Sequence, residues 1–177
     1  MTQKSILTTT YNNYGLNLYL GQLDDALCLC VFDNERSRGN LQQLRTKYRL
    51  ETKECESRLL FEAKAQLDEY LCHRRTAFDI KLLKTGPPFA LAVLDAVSTL
   101  AYGTCASYGD IARIVATAAH ARAVASVLRH NTLNIFIPCH RVISCNARPG
   151  GYQGGEMIKN FLLKLEYEHL VNLQNMP

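Results

Sequence analysis

The chain has 177 residues, of which 47% are hydrophobic and 20% charged, and its formal net charge is +4. This composition is typical of a globular protein with one large domain or two small ones. No run of about 18 apolar residues predicts a membrane span, and the first residues lack the apolar core of a signal peptide. Seven scattered cysteines argue against a disulfide framework. We therefore expect a soluble, cytoplasmic protein whose thiols are available for chemistry.

The charge is spread evenly along the chain. Residues 1–85 carry 13 basic and 11 acidic side chains, and residues 86–177 carry 7 basic and 5 acidic ones. Each part is therefore only slightly basic. This balance permits binding to nucleic acid but does not by itself argue for it.

A first domain, residues 1–85, is predicted to be a small α/β domain. Leucines alternate with other residues over 16–20, and residues 26–32 form a short apolar run, so both segments are typical of strands. The residues between them suit a hairpin connection. Apolar residues at helical spacing predict a helix over about 58–74. Gly86-Pro87-Pro88 then halts regular structure and predicts the domain boundary.

The second domain, residues 86–177, is predicted to be helical. Ser107 and Asp110 form a capping-box pattern at the start of one helix. A short turn over 116–118 leads to a second helix over about 119–129, so the pair is a candidate helix-turn-helix. Helical hairpins are also common packing units, and that alternative stays open.

The second of these helices has a surface of small residues. Arg122 stands between Ala121 and Ala123. Small residues allow close approach, either to a neighbouring helix or to a nucleic-acid groove into which Arg122 projects.

The segment Pro138-Cys139-His140-Arg141-Val142 carries the candidate chemistry. A histidine and an arginine beside Cys139 create a field that favours thiolate. If the segment is extended, neighbouring side chains point in opposite directions, so we expect Cys139 and His140 to communicate through a water. The alternative is a buried structural cysteine.

A glycine-rich segment follows, with four glycines and a proline over 146–155, and it is typical of a shaped ligand loop. A final helix is predicted from Glu156 to about Leu170. Its expected apolar face consists of Ile158, Phe161, Leu162 and Leu165.

Glu166 falls at the edge of the apolar face of this final helix. A carboxylate there needs a partner, and His140 is the natural candidate. A solvated glutamate near a helix end is the competing interpretation.

Taken together, these motifs resemble those of the O6-alkylguanine-DNA alkyltransferases, also called methylated-DNA–protein-cysteine methyltransferases. The resemblance extends from about Phe89 to Glu166, and the N-terminal part matches more loosely. The matching segments are Ser107-Tyr108-Gly109, Ala121-Arg122-Ala123-Val124, Asn131, Ile137-Pro138-Cys139-His140-Arg141-Val142, Gly151-Tyr152-Gln153-Gly154-Gly155, Leu162-Leu163 and Glu166.

The resemblance implies a DNA repair reaction that each molecule performs once. Cys139 would accept the alkyl group from guanine O6, and the resulting thioether would be permanent. His140, oriented by Glu166, would take the thiol proton through a water. Tyr108 would donate a hydrogen bond to guanine N3. O4-alkylthymine stays open as a second substrate.

The resemblance also implies how damaged duplex DNA is held. Arg122 would fill the gap left by a flipped nucleotide, and Asn131 would be a hinge between the helix-turn-helix and the active-site segment. The remaining DNA contacts would come from Ala121, Ala123 and Arg129. The residues around the substrate pocket would be Leu128, Val142, Tyr152 and Gln153.

The implied fold is an N-terminal ribonuclease-H-like α/β domain followed by a helical domain with a helix-turn-helix. The implied partner is double-stranded DNA that contains O6-alkylguanine, with no membrane and no cofactor, and we expect a monomer. We expect no metal site, because we interpret Cys28, Cys30 and Cys72-His73 as core or surface residues, although metal binding by these residues stays open as the alternative. The protein would be cytoplasmic, or nuclear in a eukaryotic source.

The chain departs from the family pattern at several positions that concern packing and turn geometry. It has no tryptophan near Leu94. Alanine replaces proline at Ala101, and Ala116 and Ala118 stand where the family's turn contains glycine and proline. A glycine that is common in the family near Ala147 is also missing.

Two other functions are weighed against alkyl transfer. A non-enzymatic lesion-binding protein of the alkyltransferase-like type would lack Cys139. A helix-turn-helix transcription regulator would have no use for the segment around that cysteine.

Overall fold

The computed structural model describes residues 5–35, 39, 42, 46, 51–144 and 151–174. The chain divides into two compact units, Met1–Leu83 and Lys84–Pro177, whereas the sequence placed the boundary after residue 85. Within the described ranges, no helix is long and apolar enough to cross a membrane.

A four-stranded sheet forms the first unit, in the order β3-β2-β1-β4. Neighbouring strands are antiparallel except β1 and β4, which are parallel. The strands are β1 (Ser5–Asn13), β2 (Leu16–Leu23), β3 (Ala26–Phe32) and β4 (Glu51–Glu54). The leucine alternation in β2 is confirmed, because Leu16, Leu18 and Leu20 are all buried.

One turn in this sheet was not predicted from the sequence. β1 and β2 are joined by Tyr14-Gly15, and both residues have positive φ, as the type I′ hairpin turn requires. Glycine adopts this conformation without strain, and Tyr14 does so at a cost.

Helix α1 (Arg58–Leu71) packs against strands β1, β2 and β3. The Ser57 side chain accepts from the Leu60 amide and so caps the helix start. The helix ends three residues before the predicted end at 74. His73 has φ +63°, a left-handed conformation that ends a helix.

The second unit is mostly helical, as the sequence predicted. Its helices are α2 (Pro88–Ser98), α3 (Tyr108–Val115), α4 (Ala121–Arg129) and α5 (Gly155–Gln174). The capping box of Ser107 and Asp110 at the start of α3 is confirmed. Residues Ala118–His120 form a 3-10 turn rather than the first turn of the predicted helix over 119–129. Together with the sheet, these helices confirm the predicted mixed α/β class.

Two short strands connect the helix-turn-helix to the cysteine segment. β5 (Ala106–Ser107) runs directly into α3, and β6 (Val142–Ile143) follows the cysteine segment. The two strands pair in parallel, with Ala106 opposite Val142. This pairing brings the start of α3 close to Cys139.

The final helix differs from its prediction in length and in phase. It extends to Gln174 rather than to about Leu170, because no helix-breaking residue intervenes. Phe161, predicted to face the core, is 40% exposed, whereas Lys159 and Glu166 are fully buried. The buried face is rotated because both charged groups find polar partners inside the unit.

Candidate active site

Two tight turns shape the backbone around Cys139. The Cys139 amide donates to the Ile137 carbonyl at 2.7 Å, and Pro138 between them has φ −78° and ψ 58°. This is an inverse γ-turn, and the proline ring favours the φ that it needs. Cys139–Arg141 then form a single 3-10 turn. The predicted extended segment is therefore wrong, because the turn hydrogen bonds curl the chain at the cysteine.

The Cys139 thiol is buried and receives a hydrogen bond. Its side chain is 5% exposed, and Asn131 Nδ2 donates to its Sγ at 3.2 Å. Burial raises the pKa of Cys139 to about 11, although the Asn131 hydrogen bond and the charge of Lys159 act in the opposite direction. The resting residue is therefore a neutral thiol at pH 7, because burial outweighs the neighbouring groups that favour the thiolate.

Arg141 does not activate the thiol directly, because its guanidinium binds elsewhere. Its Nε lies 3.0 Å from Glu166 Oε2, its Nη2 lies 2.8 Å from Glu166 Oε1, and its Nη1 donates to the Leu100 carbonyl at 2.6 Å. The sequence pattern showed the arginine but not this partner.

The Glu166 carboxylate is the centre of a buried polar cluster. Besides Arg141, it accepts from His140 Nε2 at 2.9 Å and from the Gly103 amide at 2.8 Å. Burial by itself would raise the pKa of Glu166, but the hydrogen bonds from His140 and Arg141 outweigh burial and lower it to about 2. Glu166 is therefore ionised and fully enclosed, at 1% exposure, and the interpretation as a solvated helix-end residue is wrong.

Gly103 is required by this cluster. It has φ +71°, and a Cβ at this position would lie 2.2 Å from Leu170 Cδ1. Any other residue would be strained at this φ and would displace the Leu170 side chain, so glycine is favoured where the amide meets Glu166.

His140 is held as a neutral base. Its side chain is fully buried, and burial lowers its pKa, against the opposing effect of Glu166. Because the Glu166 carboxylate can only accept the hydrogen bond from Nε2, the neutral ring carries its hydrogen on Nε2 and its lone pair on Nδ1. The Tyr152 ring packs edge-on against this imidazole at 6.4 Å between centroids.

Lys159 is a further charged residue that the sequence analysis did not identify. It is fully buried, and its Nζ donates to the Val142 carbonyl at 2.6 Å. Burial lowers its pKa. Its spacing of seven residues from Glu166, which places both on one face of α5, was a signal that the sequence offered.

Asn131 connects the end of α4 to the cysteine segment. It is buried, its Oδ1 accepts from the Leu133 amide, and its Nδ2 reaches Cys139. The buried side chain of Gln153 donates to the carbonyls of Arg129 and Asn131, each at 2.8 Å. The predicted hinge residue therefore lies between the helix and the thiol, and its role in the reaction stays a prediction.

The remaining residues predicted around the substrate are Tyr108, Leu128 and Val142. Tyr108, at the start of α3, is half-buried, and its pKa is raised first by burial and then by the nearby Cys139 when that sulfur is ionised. Leu128 and Val142 are buried. Their roles around a substrate pocket stay predictions. Of the glycine-rich segment, residues 146–150 lie outside the described part of the chain.

Helix α4 presents a basic face to solvent. Val124 and Leu128 are its buried residues. Arg122 and Arg129 are exposed, and their spacing of seven residues places them on one side of the helix. The small residues Ala121 and Ala123, beside Arg122, are partly exposed. This face has the charge and the access that a nucleic-acid backbone requires.

Comparison with known proteins matches this chain to alkyltransferases. Residues 88–168 match the family model of the 6-O-methylguanine DNA methyltransferase DNA-binding domain. The constitutive methylated-DNA–protein-cysteine methyltransferase of Bacillus subtilis is 44% identical over 108 residues, which are 60% of this chain and 66% of that protein. The methylated-DNA–protein-cysteine methyltransferase of Methanosarcina barkeri is 36% identical over 140 residues, 77% of this chain and 89% of that protein.

Solved structures agree with these matches. The Mycobacterium tuberculosis O6-methylguanine methyltransferase has a TM-score of 0.77 at 29% identity, covering 93% of this chain and 94% of that one. The Mycobacterium tuberculosis OGT in complex with DNA has a TM-score of 0.77 at 30% identity, covering 90% and 92%. With the buried cysteine, its histidine–glutamate pair and the helix-turn-helix all in one unit, these matches lead to one conclusion: the chain belongs to the methylated-DNA–protein-cysteine methyltransferase family.

Proposed function

We propose that this protein repairs DNA by transferring the alkyl group of O6-alkylguanine to Cys139, once per molecule. The observation that carries the proposal is the Cys139 thiol itself, buried beside Asn131 and one residue before the His140–Glu166 pair. A structural cysteine needs no adjacent base held by a buried carboxylate. Family membership and the DNA complex of a structural relative support the same function.

The chemistry is a nucleophilic displacement at the alkyl carbon. The sulfur–carbon bond forms as the carbon–O6 bond breaks, and the bonding electron pair leaves with the purine. His140 Nδ1 receives the thiol proton through a water, and the adjacent Glu166 stabilises the imidazolium. The proton finally resides on the dealkylated guanine, which remains part of the DNA strand, so the products are a neutral base and a thioether.

Burial of Cys139 explains why the thiol reacts only when a substrate is bound. A thiol with a pKa of about 11 is a poor nucleophile at pH 7. Proton transfer to His140 must therefore accompany the attack, and it occurs only when a reactive alkyl carbon lies against the sulfur. Tyr108, at the start of α3, supports the departing purine by donating a hydrogen bond.

The helix-turn-helix supplies the DNA interface. Arg122 projects from the exposed face of α4, where it fills the space left by the extruded nucleotide. Extrusion costs a few kcal/mol of stacking and pairing, and an inserted side chain offsets part of that cost. Arg129, on the same face, contacts backbone phosphate.

The direct test is the intact mass of the protein after mixing with duplex DNA that contains O6-methylguanine. We expect a gain of one methyl group per molecule, located on the peptide that contains Cys139. Cys139→Ala should gain nothing. Cys105→Ala, which removes an exposed thiol, is the matched control and should be methylated as the unmodified protein is.

Other results would favour the alternatives. Tight binding to damaged DNA without any mass change would indicate a lesion-binding protein. A preference for one undamaged sequence would indicate a regulator. Methylation of Cys145 instead would show that Cys139 is not the acceptor.

A further inference from the structure

A chain of side-chain amides runs from the end of α4 to the cysteine sulfur. Gln153 Nε2 donates to the carbonyls of Arg129 and Asn131, so Gln153 Oε1 faces Asn134. This oxygen accepts from Asn134 Nδ2 at 2.9 Å, and the same Nδ2 donates to the Asn131 carbonyl at 3.2 Å. Each amide group in the chain is therefore oriented by its neighbour.

The orientation of Asn134 decides what it presents to Cys139. Because Asn134 Nδ2 is used by two acceptors, Asn134 Oδ1 faces the thiol, 3.6 Å from Sγ. An amide oxygen has no hydrogen to donate, so the sulfur must be the donor of this contact. On its other side, the sulfur accepts from Asn131 Nδ2 at 3.2 Å.

The backbone holds Asn134 in this place. The side chain is fully buried. The next residue, Ile135, has φ +73°, a left-handed conformation that is strained for a β-branched residue. The Ile137 amide donates to the Leu133 carbonyl at 2.8 Å and closes the turn around both residues.

We propose that Asn134 is a positioning residue that keeps the proton on the Cys139 sulfur in the resting protein and so restrains the nucleophile until a substrate arrives. The amide oxygen accepts from S–H but repels a thiolate, so the hydrogen bond exists only in the protonated state. Reaction with small electrophiles is slowed, while a base bound in the site still reacts through His140. The proposal rests on the proposed function only for the identity of Cys139 as the nucleophile.

Other titratable groups also act on the thiol. Lys159 of α5 favours the thiolate, and Tyr108 of α3 interacts with its charge. His140 is the next residue in the chain and is held by Glu166. The Asn134 variants retain all of these residues, so shifts of opposite sign in two such variants report the group at position 134.

The test is the rate of Cys139 alkylation by iodoacetamide as a function of pH, in the full chain, with the product mapped to the Cys139 peptide. Asn134→Leu removes the acceptor and should shift the pH profile to lower pH. The rate at neutral pH should rise about five-fold, as expected from the loss of one ordinary hydrogen bond. Asn134→Asp places a carboxylate by the sulfur and should shift the profile to higher pH.

The opposite pH shifts expected for Asn134→Leu and Asn134→Asp distinguish a positioning role of Asn134 from general damage to the site. Disruption of packing would expose Cys139 in both variants and shift both profiles in the same direction, which would overturn the proposal, as would two unchanged profiles. Asn131→Leu, which removes the opposing donor, should shift the profile to higher pH.

A measurement on the unmodified protein needs no folded variant of Asn134. The infrared difference spectrum against Cys139→Ala isolates the S–H stretch of this one thiol. A frequency lowered by hydrogen bonding is expected, and the frequency of a free thiol would overturn the proposal. Neither measurement uses alkylated DNA, so their outcome is separate from the outcome of the methyl-transfer test.

Discussion

The buried carboxylate of Glu166 should contribute strongly to stability, and Glu166→Gln measures that contribution. The substitution keeps the shape of the side chain but removes its charge. Arg141, only 6% exposed, would lose its anionic partner. In addition, the new amide NH2 would face one of the groups that now donate to Glu166, which come from His140, Arg141 and Gly103.

Two physical arguments give the same magnitude. A pKa of about 2 for Glu166, in place of 4.5, corresponds to about 3 kcal/mol of folding free energy. Removing one partner of a buried ion pair typically costs about 3–5 kcal/mol. We therefore expect Glu166→Gln to lower the free energy of unfolding by about 3 kcal/mol at pH 7.

The same argument fixes the pH dependence. The folded pKa of Glu166 is depressed, so its stabilising contribution is complete above pH 4.5 and is lost as the pH falls from 4.5 through about 2. About 1.5 kcal/mol should remain at pH 3. The difference between Glu166→Gln and the unmodified protein should therefore fall by about half between pH 7 and pH 3.

Urea unfolding at the two pH values measures both quantities. The matched control is Glu168→Gln, on the same helix, where the carboxylate is 55% exposed and lies 3.6 Å from Lys164. The free energy of unfolding of that variant should fall by less than about 0.5 kcal/mol. Equal losses for Glu166→Gln at pH 7 and pH 3 would refute the reasoning, because a cost independent of pH arises from packing rather than charge.

Three further results are expected. Lys159→Met removes a cation that favours the thiolate, so the pH profile of Cys139 alkylation by iodoacetamide should shift to higher pH, and an unshifted profile would contradict this. The pKa of Cys139 is raised from 9 to about 11, so the free energy of unfolding of the unmodified protein should fall by about 3 kcal/mol relative to that of Cys139→Ala as the pH rises from 9 through 11. Urea unfolding of both proteins measures this, and a difference that does not change with pH would contradict it. Arg122→Ala should slow repair of duplex DNA but not reaction with free O6-benzylguanine base, whereas equal losses on both would show damage to the site itself.

Much of the fold could be predicted from local patterns. The leucine alternation of β2 and the apolar run of β3 specify strands because side chains in a sheet alternate between its faces or are buried on both. Ser107 and Asp110 specify the start of α3 because a capping box is formed within four residues. These features depend on neighbours in the chain, so the sequence alone contains them.

The chemistry-bearing residues could also be identified from the sequence, through the motif around Cys139 and through Glu166. Their environments could not. The sequence places His140 and Arg141 beside the cysteine, where their field favours thiolate, but burial has the larger effect and raises the pKa of Cys139. Burial is a property of the packed unit, and adjacent residues do not reveal it.

Tertiary structure alone decided the partners of the buried polar groups. Arg141 binds Glu166 across 25 residues, Lys159 binds the Val142 carbonyl across 17, and Gln153 reaches Asn131 across 22. The sequence determined which side chains carry charge or a reactive atom. Which of them meet was decided by the turns at Pro138 and by the phase of α5, because a buried polar group must find its hydrogen bonds wherever the fold places a partner.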